Sequence, residues 1–293
     1  MSGWDFSDIP DQTGRRFIVT GANSGLGAAA AKALAGAGGE VILACRNLEK
    51  AEKVAAEIGA RAEARKLDLA DLASVREFAA SVDRVDVLMN NAGVMAIPEQ
   101  RTVDGFEMQF GTNHLGHFAL TGLLLDKIGD RVVTVSSWAH RFGAIDLDDP
   151  NWERRGYHRW KAYGQSKLAN LLFTAELQRR FAAAGSPRLA TAGHPGYAST
   201  ALGTHTESFF DSIVALGDRL IAQSAEMGAL PQLFAAVADA EPGGYYGPEG
   251  IGGLRGYPIR CGSSSAVRDE QMAAALWELS EKLTGVTYRI PRS

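Results

Sequence analysis

A tyrosine and a lysine four residues apart, Tyr163 and Lys167, are the side chains in this sequence best suited to proton transfer. They lie in a helical pattern over residues 163–184, and side chains four apart on a helix share one face. A phenol ionises near pH 10, and lowering its pKa by about three units requires roughly 4 kcal/mol of phenolate stabilisation. An ammonium group about 4 Å away supplies about 4 kcal/mol at an effective dielectric near 20. The pair therefore predicts an acid/base tyrosine, with the lysine lowering the pKa of the phenol.

A second pair with the same spacing, Tyr157 and Lys161, lies just upstream. Tyr157 stands in a polar connection beside charged residues and Gly156, whereas Tyr163 opens the long helical pattern. We therefore favour Tyr163 as the reactive tyrosine.

A glycine-rich turn follows the apolar run at residues 17–19 and precedes an alanine-rich helical pattern over 28–37. Glycines at this point let the chain bend sharply and let a ligand approach bare backbone. The N-terminus of the helix would direct unpaired N–H groups at that ligand, which favours a phosphate. A turn needed only for packing is the alternative. The residues expected to contact the phosphates are Gly21, Asn23, Ser24, Gly25, Leu26 and Gly27.

Short apolar runs alternate with helical patterns along the chain, which predicts a parallel sheet covered by helices. We expect an α/β fold: one doubly wound Rossmann-type sheet of about seven strands with helices on both faces, in a single domain over residues 1–293. The predicted strands are 16–20, 41–45, a weak one ending at 67, 85–89, 131–136 and 189–192, and residues 243–248 are expected to form a short last strand and turn. The predicted helices are 28–37, 48–58, 72–82, 104–128, 163–184 and 273–283.

In such a sheet the ligand binds beyond the carboxyl ends of the strands. Arg46 follows the second strand, where a guanidinium can bind a 2′-phosphate, so the sequence favours NADP over NAD; a solvated arginine is the alternative. After the third strand, Asp68 and Leu69 are placed to meet an adenine. After the fourth come small and amide residues suited to a close approach to a ribose, namely Asn91, Ala92 and Gly93.

The composition narrows the class of partner. The chain has 30 Lys and Arg against 34 Asp and Glu, a formal charge of -4. This charge gives no electrostatic reason to expect nucleic acid or an anionic membrane as partner. His114 and His117 are spaced for a metal, but no third ligand has suitable spacing, so no metal is expected. Two cysteines, no signal-peptide pattern and no apolar run of about 20 residues predict a cytoplasmic protein without a membrane span.

Six motifs in order resemble the short-chain dehydrogenase/reductase family. They are T-G-x-x-x-G-x-G at 20–27, N-N-A-G at 90–93, Asn113, Ser137, Y-x-x-x-K at 163–167, and P-G at 195–196. The segments A-C-R-N at 44–47, N-H-L-G-H-F at 113–118 and S-K-L-A-N at 166–170 are similar to the retinol dehydrogenase-like branch. Unlike the microsomal members of that branch, this sequence is expected to have no N-terminal membrane anchor, which puts retinoid in doubt as the physiological substrate.

The resemblance implies hydride transfer between NADP(H) and an apolar alcohol, aldehyde or ketone. Tyr163 would be the acid/base, Lys167 would also hold the cofactor ribose, and Asn113 would hold a water in a proton relay. Ser137 would position the substrate oxygen; Ser136 is its competitor, and strand alternation points the two to opposite faces.

The resemblance also implies roles for other parts of the chain. Pro195 and Gly196 would contact the cofactor, and Thr200 would bond its carboxamide. Residues 197–230 would form a substrate lid, and the helix over 163–184 could pair in a homodimer. Two other functions stay open: an NADP-binding redox sensor without turnover, and a reductase of conjugated C=C bonds similar to the protochlorophyllide reductases.

Overall fold

The computed structural model describes residues 3–196 and 224–290. Within them the strands are β1 (Arg16–Thr20), β2 (Glu40–Cys45), β3 (Ala62–Lys66), β4 (Val85–Asn90), β5 (Ile128–Val135), β6 (Leu189–Gly193), β7 (Tyr245–Pro248) and β8 (Pro258–Arg260). The helices are α1 (Gly25–Gly36), α2 (Leu48–Ile58), α3 (Leu72–Ala80), α4 (Met108–Phe110), α5 (Gly116–Leu124), α6 (Arg159–Ala183), α7 (Ala225–Val237) and α8 (Glu270–Thr284).

The strands form one sheet in the order β3-β2-β1-β4-β5-β6-β7-β8. Seven strands are parallel, and β8 pairs antiparallel with β7. The predicted fold class is confirmed, with one strand more than expected, because β8 is only three residues long and two of them are exposed. The strand order reverses between β1 and β4, so a crevice opens there at the carboxyl ends of the strands.

Alternate residues of each central strand enter two separate cores. Phe17 and Val19 of β1 pack with α1 and α7 on one face of the sheet. Ile18 packs with α3, α5, α6 and α8 on the other. A strand buried on both faces reads as a continuous apolar run, which is why β1, β2 and β4 are the clearest strands in the sequence.

The helix predicted over 104–128 is shorter and broken. It begins with α4, passes through one π-helical turn over Gly111–Leu115, and ends with α5. Glu107 caps its start by accepting hydrogen bonds from the backbone N–H groups of Gln109 and Phe110, at 2.9 and 2.6 Å. Residue 128, expected at the end of the helix, is the first residue of β5.

Helix α6 begins four residues earlier than predicted, because His158 accepts a hydrogen bond from the backbone N–H of Lys161. Its residues 162–174 are buried within the chain. The C-terminal helix α8 packs against it: the rings of Phe173 and Trp277 stack at 5.7 Å, and the Arg180 guanidinium lies 4.3 Å from the Trp277 ring. A homodimer through this helix stays a prediction, and its interface would have to accommodate α8.

In the described ranges, no helix combines the length and apolar character needed to cross a membrane.

Candidate active site

A cavity of about 510 Å³ lies at the carboxyl ends of β1, β2 and β4. It includes every residue that the sequence assigns to the glycine turn, and also Arg46, Asp68, Leu69, Asn91, Ala92 and Gly93. Residues that sequence reasoning did not single out complete the lining: Ala44, Asn47, Lys50, Leu67, Val94 and Thr112.

The glycine turn brings bare backbone to the wall of this cavity. Gly21 and Gly25 have φ values of +68° and +53°, which favour glycine. A Cβ added to Gly27 would lie 2.6 Å from the Asn91 side-chain nitrogen and from the Gly21 carbonyl oxygen. The turn therefore needs its glycines, and the N-terminus of α1 opens into the cavity as a phosphate site requires.

Two cations mark the outer end of the cavity, beyond β2. Arg46 and Lys50 are both exposed, and neither has an ion-pair partner in residues 3–196 or 224–290. Lys50 stands four residues after Arg46, in the first turn of α2. The sequence motifs point to Arg46 alone; a lysine in the first turn of the helix that follows is the signal that indicates Lys50. Unpaired cations at this position fit a phosphate carried on an adenosine ribose.

At its inner end the cavity meets the N-N-A-G segment. The side-chain amide of Asn91 donates to the Thr20 carbonyl oxygen at 2.7 Å, while Asn91 Oδ1 is buried without a hydrogen-bond partner in the described part of the chain. A Cβ on Gly93 would lie 3.1 Å from Asn113 Oδ1 and 3.4 Å from Lys167 Nζ. Asn113 and Lys167 therefore stand directly behind the inner wall.

Asn113 lies in the π-helical turn and is fully buried. Its side-chain nitrogen donates to the Val94 carbonyl oxygen and to Ser166 Oγ, both at 2.9 Å. Its side-chain oxygen accepts from the Val94 N–H at 2.8 Å. Both side-chain N–H groups are thus used, whereas Oδ1 keeps one lone pair and, like the main-chain carbonyl oxygen, is an acceptor for a water.

The two serines after β5 have different partners. Ser136 is buried, and its hydroxyl donates to the Lys167 carbonyl oxygen of α6 at 2.8 Å. Ser137 is partly exposed, and its hydroxyl lies close enough to Tyr163 to lower the pKa of the phenol. Strand alternation thus sends Ser136 beneath α6 and Ser137 to the tyrosine, the arrangement that the sequence favoured.

Burial controls the charges of the tyrosine–lysine pair. Tyr163 is 7% exposed and Lys167 4% exposed. Burial raises the pKa of Tyr163 to about 12, opposed by the Ser137 hydrogen bond, and burial lowers the pKa of Lys167 to about 8. Lys167 Nζ lies 5.8 Å from the centre of the Tyr163 ring and donates to the Val135 carbonyl oxygen at 3.1 Å. The expectation of a lowered phenol pKa is therefore wrong for the chain alone, since desolvation by burial outweighs the lowering by Ser137.

Tyr157, the competing tyrosine, belongs to a separate buried network. Its hydroxyl lies 3.1 Å from both the Ile97 carbonyl oxygen and Glu107 Oε1, and it accepts from the Gln109 side chain at 2.9 Å. Gln109 in turn accepts from the N–H of Ala96, which has a φ of +48°. Tyr157 thus helps to secure the loop after β4 and lies outside the cavity lining.

The remaining sequence candidates are the P-G pair, Thr200 with the expected lid, and the two histidines. Pro195 and Gly196 follow β6 and do not line the cavity; a Cβ on Gly196 would lie 2.3 Å from the Leu254 carbonyl oxygen. Thr200 and most of the expected lid over 197–230 lie outside the described residues. His114 and His117 have different partners: His114 Nε2 lies 2.9 Å from Ser280 Oγ, and His117 bonds groups beside the site.

Comparison with known proteins gives consistent results. A family model described as short chain dehydrogenase matches residues 15–209. Human retinol dehydrogenase 13 is 45% identical over 292 residues, covering 93% of this chain and 85% of that protein. A solved structure of an uncharacterized protein from Mycobacterium paratuberculosis has a TM-score of 0.87 and 50% identity, covering 98% of this chain and all of the other.

A more distant solved structure, described as a candidate NAD(P)-dependent gluconate 5-dehydrogenase from Beutenbergia cavernae with NADP bound at low occupancy, has a TM-score of 0.62. It is 28% identical and covers 80% of this chain and 96% of its own.

Proposed function

The chain belongs to the short-chain dehydrogenase/reductase family and is similar to the retinol dehydrogenases, and from that premise we propose that it is an NADP(H)-dependent oxidoreductase of apolar alcohols, aldehydes and ketones. A family member of this fold takes a nicotinamide cofactor and a small-molecule substrate. The preference for NADP, the acid/base role of Tyr163 and the apolar substrate are the parts of the proposal that go beyond the family.

The cavity suits a dinucleotide along its whole length. The glycine turn and the N-terminus of α1 would hold the pyrophosphate. Arg46 and Lys50 would bind a 2′-phosphate, and the unpartnered Asn91 Oδ1 is available to a ribose hydroxyl. When bound, the cofactor supplies or accepts a hydride. That the Beutenbergia cavernae structure carries NADP supports the same preference here.

The chain's own residues handle the proton. With a pKa of about 12, Tyr163 is protonated at neutral pH, so it is ready to donate a proton to a substrate oxygen during carbonyl reduction. The Ser137 hydroxyl, which lies beside Tyr163, would hold that oxygen. Lys167, with a pKa of about 8, is mostly charged at neutral pH and favours the phenolate left behind. The oxidised nicotinamide would add a second positive charge beside the phenolate.

Aromatic side chains around Ser137 and Tyr163 favour an apolar substrate. Trp138 and Phe142 are 48% and 47% exposed, with their rings 6.4 Å apart. The edge of Trp160 meets the Tyr163 ring at 6.3 Å. Contact with these aromatic side chains removes the apolar surface of a hydrocarbon substrate from water, which favours its binding.

The observation that carries the proposal is the grouping of Tyr163, Ser137 and Lys167: Lys167 Nζ is buried 5.8 Å from the Tyr163 ring centre, and Ser137 lowers the pKa of the phenol. Its test is oxidation of NADPH by the wild type, Tyr163→Phe and Tyr157→Phe over a series of apolar aldehydes, ketones and quinones. We expect only Tyr163→Phe to lose turnover while it still binds NADPH. Tight NADPH binding by the wild type without turnover would overturn the proposal in favour of a sensor or of a C=C reductase. An essential Tyr157 would overturn the site.

A further inference from the structure

A buried histidine, His117, connects the π-helical turn at Asn113 to Thr20, at the end of β1 beside the cavity. His117 is 1% exposed and lies in the first turn of α5, outside the cavity lining. Its Nδ1 lies 3.0 Å from the main-chain oxygen of Asn113, and its Nε2 lies 2.9 Å from Thr20 Oγ1. None of the sequence motifs assigns it a role.

The partners fix the tautomer of this imidazole. A carbonyl oxygen can only accept, so Nδ1 carries the proton and donates to Asn113. Nε2 is then an acceptor, and the Thr20 hydroxyl donates to it. Burial lowers the pKa of His117 to about 4, which keeps the ring neutral at physiological pH. The donor and the acceptor are thereby determined in both hydrogen bonds of the His117 ring.

Thr20 connects His117 to backbone groups that line the cavity. Its hydroxyl oxygen accepts from the backbone N–H groups of Asn91 and Ala92, each at 2.9 Å. Both residues line the cavity. The Met89 carbonyl oxygen, 3.3 Å from the same hydroxyl, is a weaker acceptor for the Thr20 proton. Without the histidine the hydroxyl would turn toward Met89 and change its geometry toward the two N–H groups.

At the other end, His117 bonds the main-chain oxygen of Asn113, the residue expected to hold a water in a proton relay. The direction of this oxygen depends on the π-helical turn and on the His117 donor. Asn113 Oδ1, which accepts from the Val94 N–H, is the residue's other acceptor.

We propose that His117 is a positioning residue with two separable effects: through Nδ1 it orients the Asn113 carbonyl for proton transfer, and through Nε2 and Thr20 it orients the backbone that receives the cofactor. The first effect rests on the proposed function, and the second requires only cofactor binding.

Three substitutions separate the two hydrogen bonds. In His117→Asn the amide nitrogen can occupy the place of Nδ1 and donate to Asn113, but nothing reaches Thr20. In His117→Gln the amide oxygen can occupy the place of Nε2 and accept from Thr20, but the donor to Asn113 is lost. His117→Phe keeps the ring and removes both bonds. Thr20→Val tests the cofactor half without altering the histidine.

The measurements are kcat for carbonyl reduction and the Kd for NADPH from fluorescence titration. A single hydrogen bond corresponds to a change of about five- to tenfold. We expect His117→Gln to lower kcat by that factor with Kd unchanged. We expect His117→Asn and Thr20→Val to raise the Kd for NADPH by that factor and to keep kcat within about threefold of wild type. His117→Phe should show both losses.

The matched control is His114→Asn. His114 is a buried histidine three residues away, bonded to Ser280 of α8 and to no residue of the cavity. We expect its loss to lower thermal stability and to leave kcat and Kd unchanged.

Equal changes in His117→Asn and His117→Gln, or changes matching those of His114→Asn, would overturn the proposal and leave His117 a packing residue. If the wild type binds NADPH but reduces no carbonyl, the proposed function fails. The proposed effect of His117 on cofactor binding is then still tested by the NADPH Kd values of His117→Asn, His117→Gln and Thr20→Val.

Discussion

The two ends of the cavity hold their cations in opposite ways. At the outer end, Arg46 and Lys50 are exposed and have no ion-pair partner in the described residues. Behind the wall of the inner end, Lys167 is 4% exposed and does not line the cavity, and burial lowers its pKa to about 8. An exposed cation acts on a ligand by attraction that salt screens, whereas a buried one acts strongly at short range and titrates close to neutrality. We therefore propose that the outer end recognises the cofactor and that the residues behind the inner end transfer the proton.

The largest effect is expected at the buried end. Lys167→Ala removes the buried ammonium that lies 5.8 Å from the Tyr163 ring centre and favours the phenolate, so kcat should fall by about a hundred- to ten-thousandfold. Steady-state reduction of an apolar aldehyde measures it. Lys161→Ala, the lysine of the competing Tyr157 pair, is the control and should retain wild-type kcat. Comparable losses in both variants would contradict the assignment of the pair.

At the exposed end the expected change is in cofactor choice. Arg46→Ala combined with Lys50→Ala should weaken NADPH binding by about ten- to a hundredfold and leave NADH binding nearly unchanged, because only NADPH carries the 2′-phosphate. Binding of NADPH by the wild type should also weaken with added salt. Lys53→Ala, on the same helix but paired with Glu49 at 2.7 Å, is the control. An equal loss of NADPH and NADH binding would show that the pair does not select NADP.

The buried end should also impose a pH dependence on the reaction. Lys167 is protonated below its pKa of about 8 and neutral above it. Carbonyl reduction should therefore be flat near pH 7 and decline about tenfold per pH unit at most above pH 8, since phenolate formation loses its counter-charge. A profile of kcat between pH 6 and 10 measures this. A rate of reduction that rises through pH 8 to 10 would contradict it.

A smaller effect of burial concerns stability in acid. Burial lowers the pKa of His114 to about 3 and that of His117 to about 4. Below pH about 6.5 the unfolded chain takes up protons that the folded chain does not. Each imidazole therefore lowers the free energy of unfolding by up to about 1.4 kcal/mol per pH unit as the pH falls toward 4. Urea unfolding at pH 7, 6 and 5 tests this.

The variant for that measurement is His114→Phe, whose loss of stability between pH 7 and 5 should be smaller than that of the wild type. An identical pH dependence in the two proteins would show that His114 is not buried and neutral in the folded state.

Local patterns were enough to place the glycine turn and Arg46 at the cavity and Ser137, not Ser136, beside Tyr163. Each placement depends on which residue follows a strand or on the alternation of side chains along it. Lys50 was also within reach, since it lies in the first turn of the helix that follows Arg46.

Other features depend on packing between distant parts of the chain. His117 meets Thr20 across 97 positions of sequence. The raised pKa of Tyr163 follows from the burial of α6, to which α8 contributes from the other end of the chain. The π-helical turn at Asn113 likewise has no signal in the 104–128 pattern, whose apolar residues suit a regular helix equally well. Sequence spacing can place two residues on one face but cannot give the desolvation that decides their charges.

The most direct test of the division between the two ends is to measure the NADPH Kd and kcat of Tyr163→Phe and Arg46→Ala side by side. We predict opposite patterns. Tyr163→Phe should bind NADPH within about threefold of wild type and lose nearly all turnover, whereas Arg46→Ala should bind NADPH about tenfold more weakly and keep kcat at saturating cofactor. If both variants lose affinity and turnover together, recognition and proton transfer are not separated along the cavity and the account is wrong.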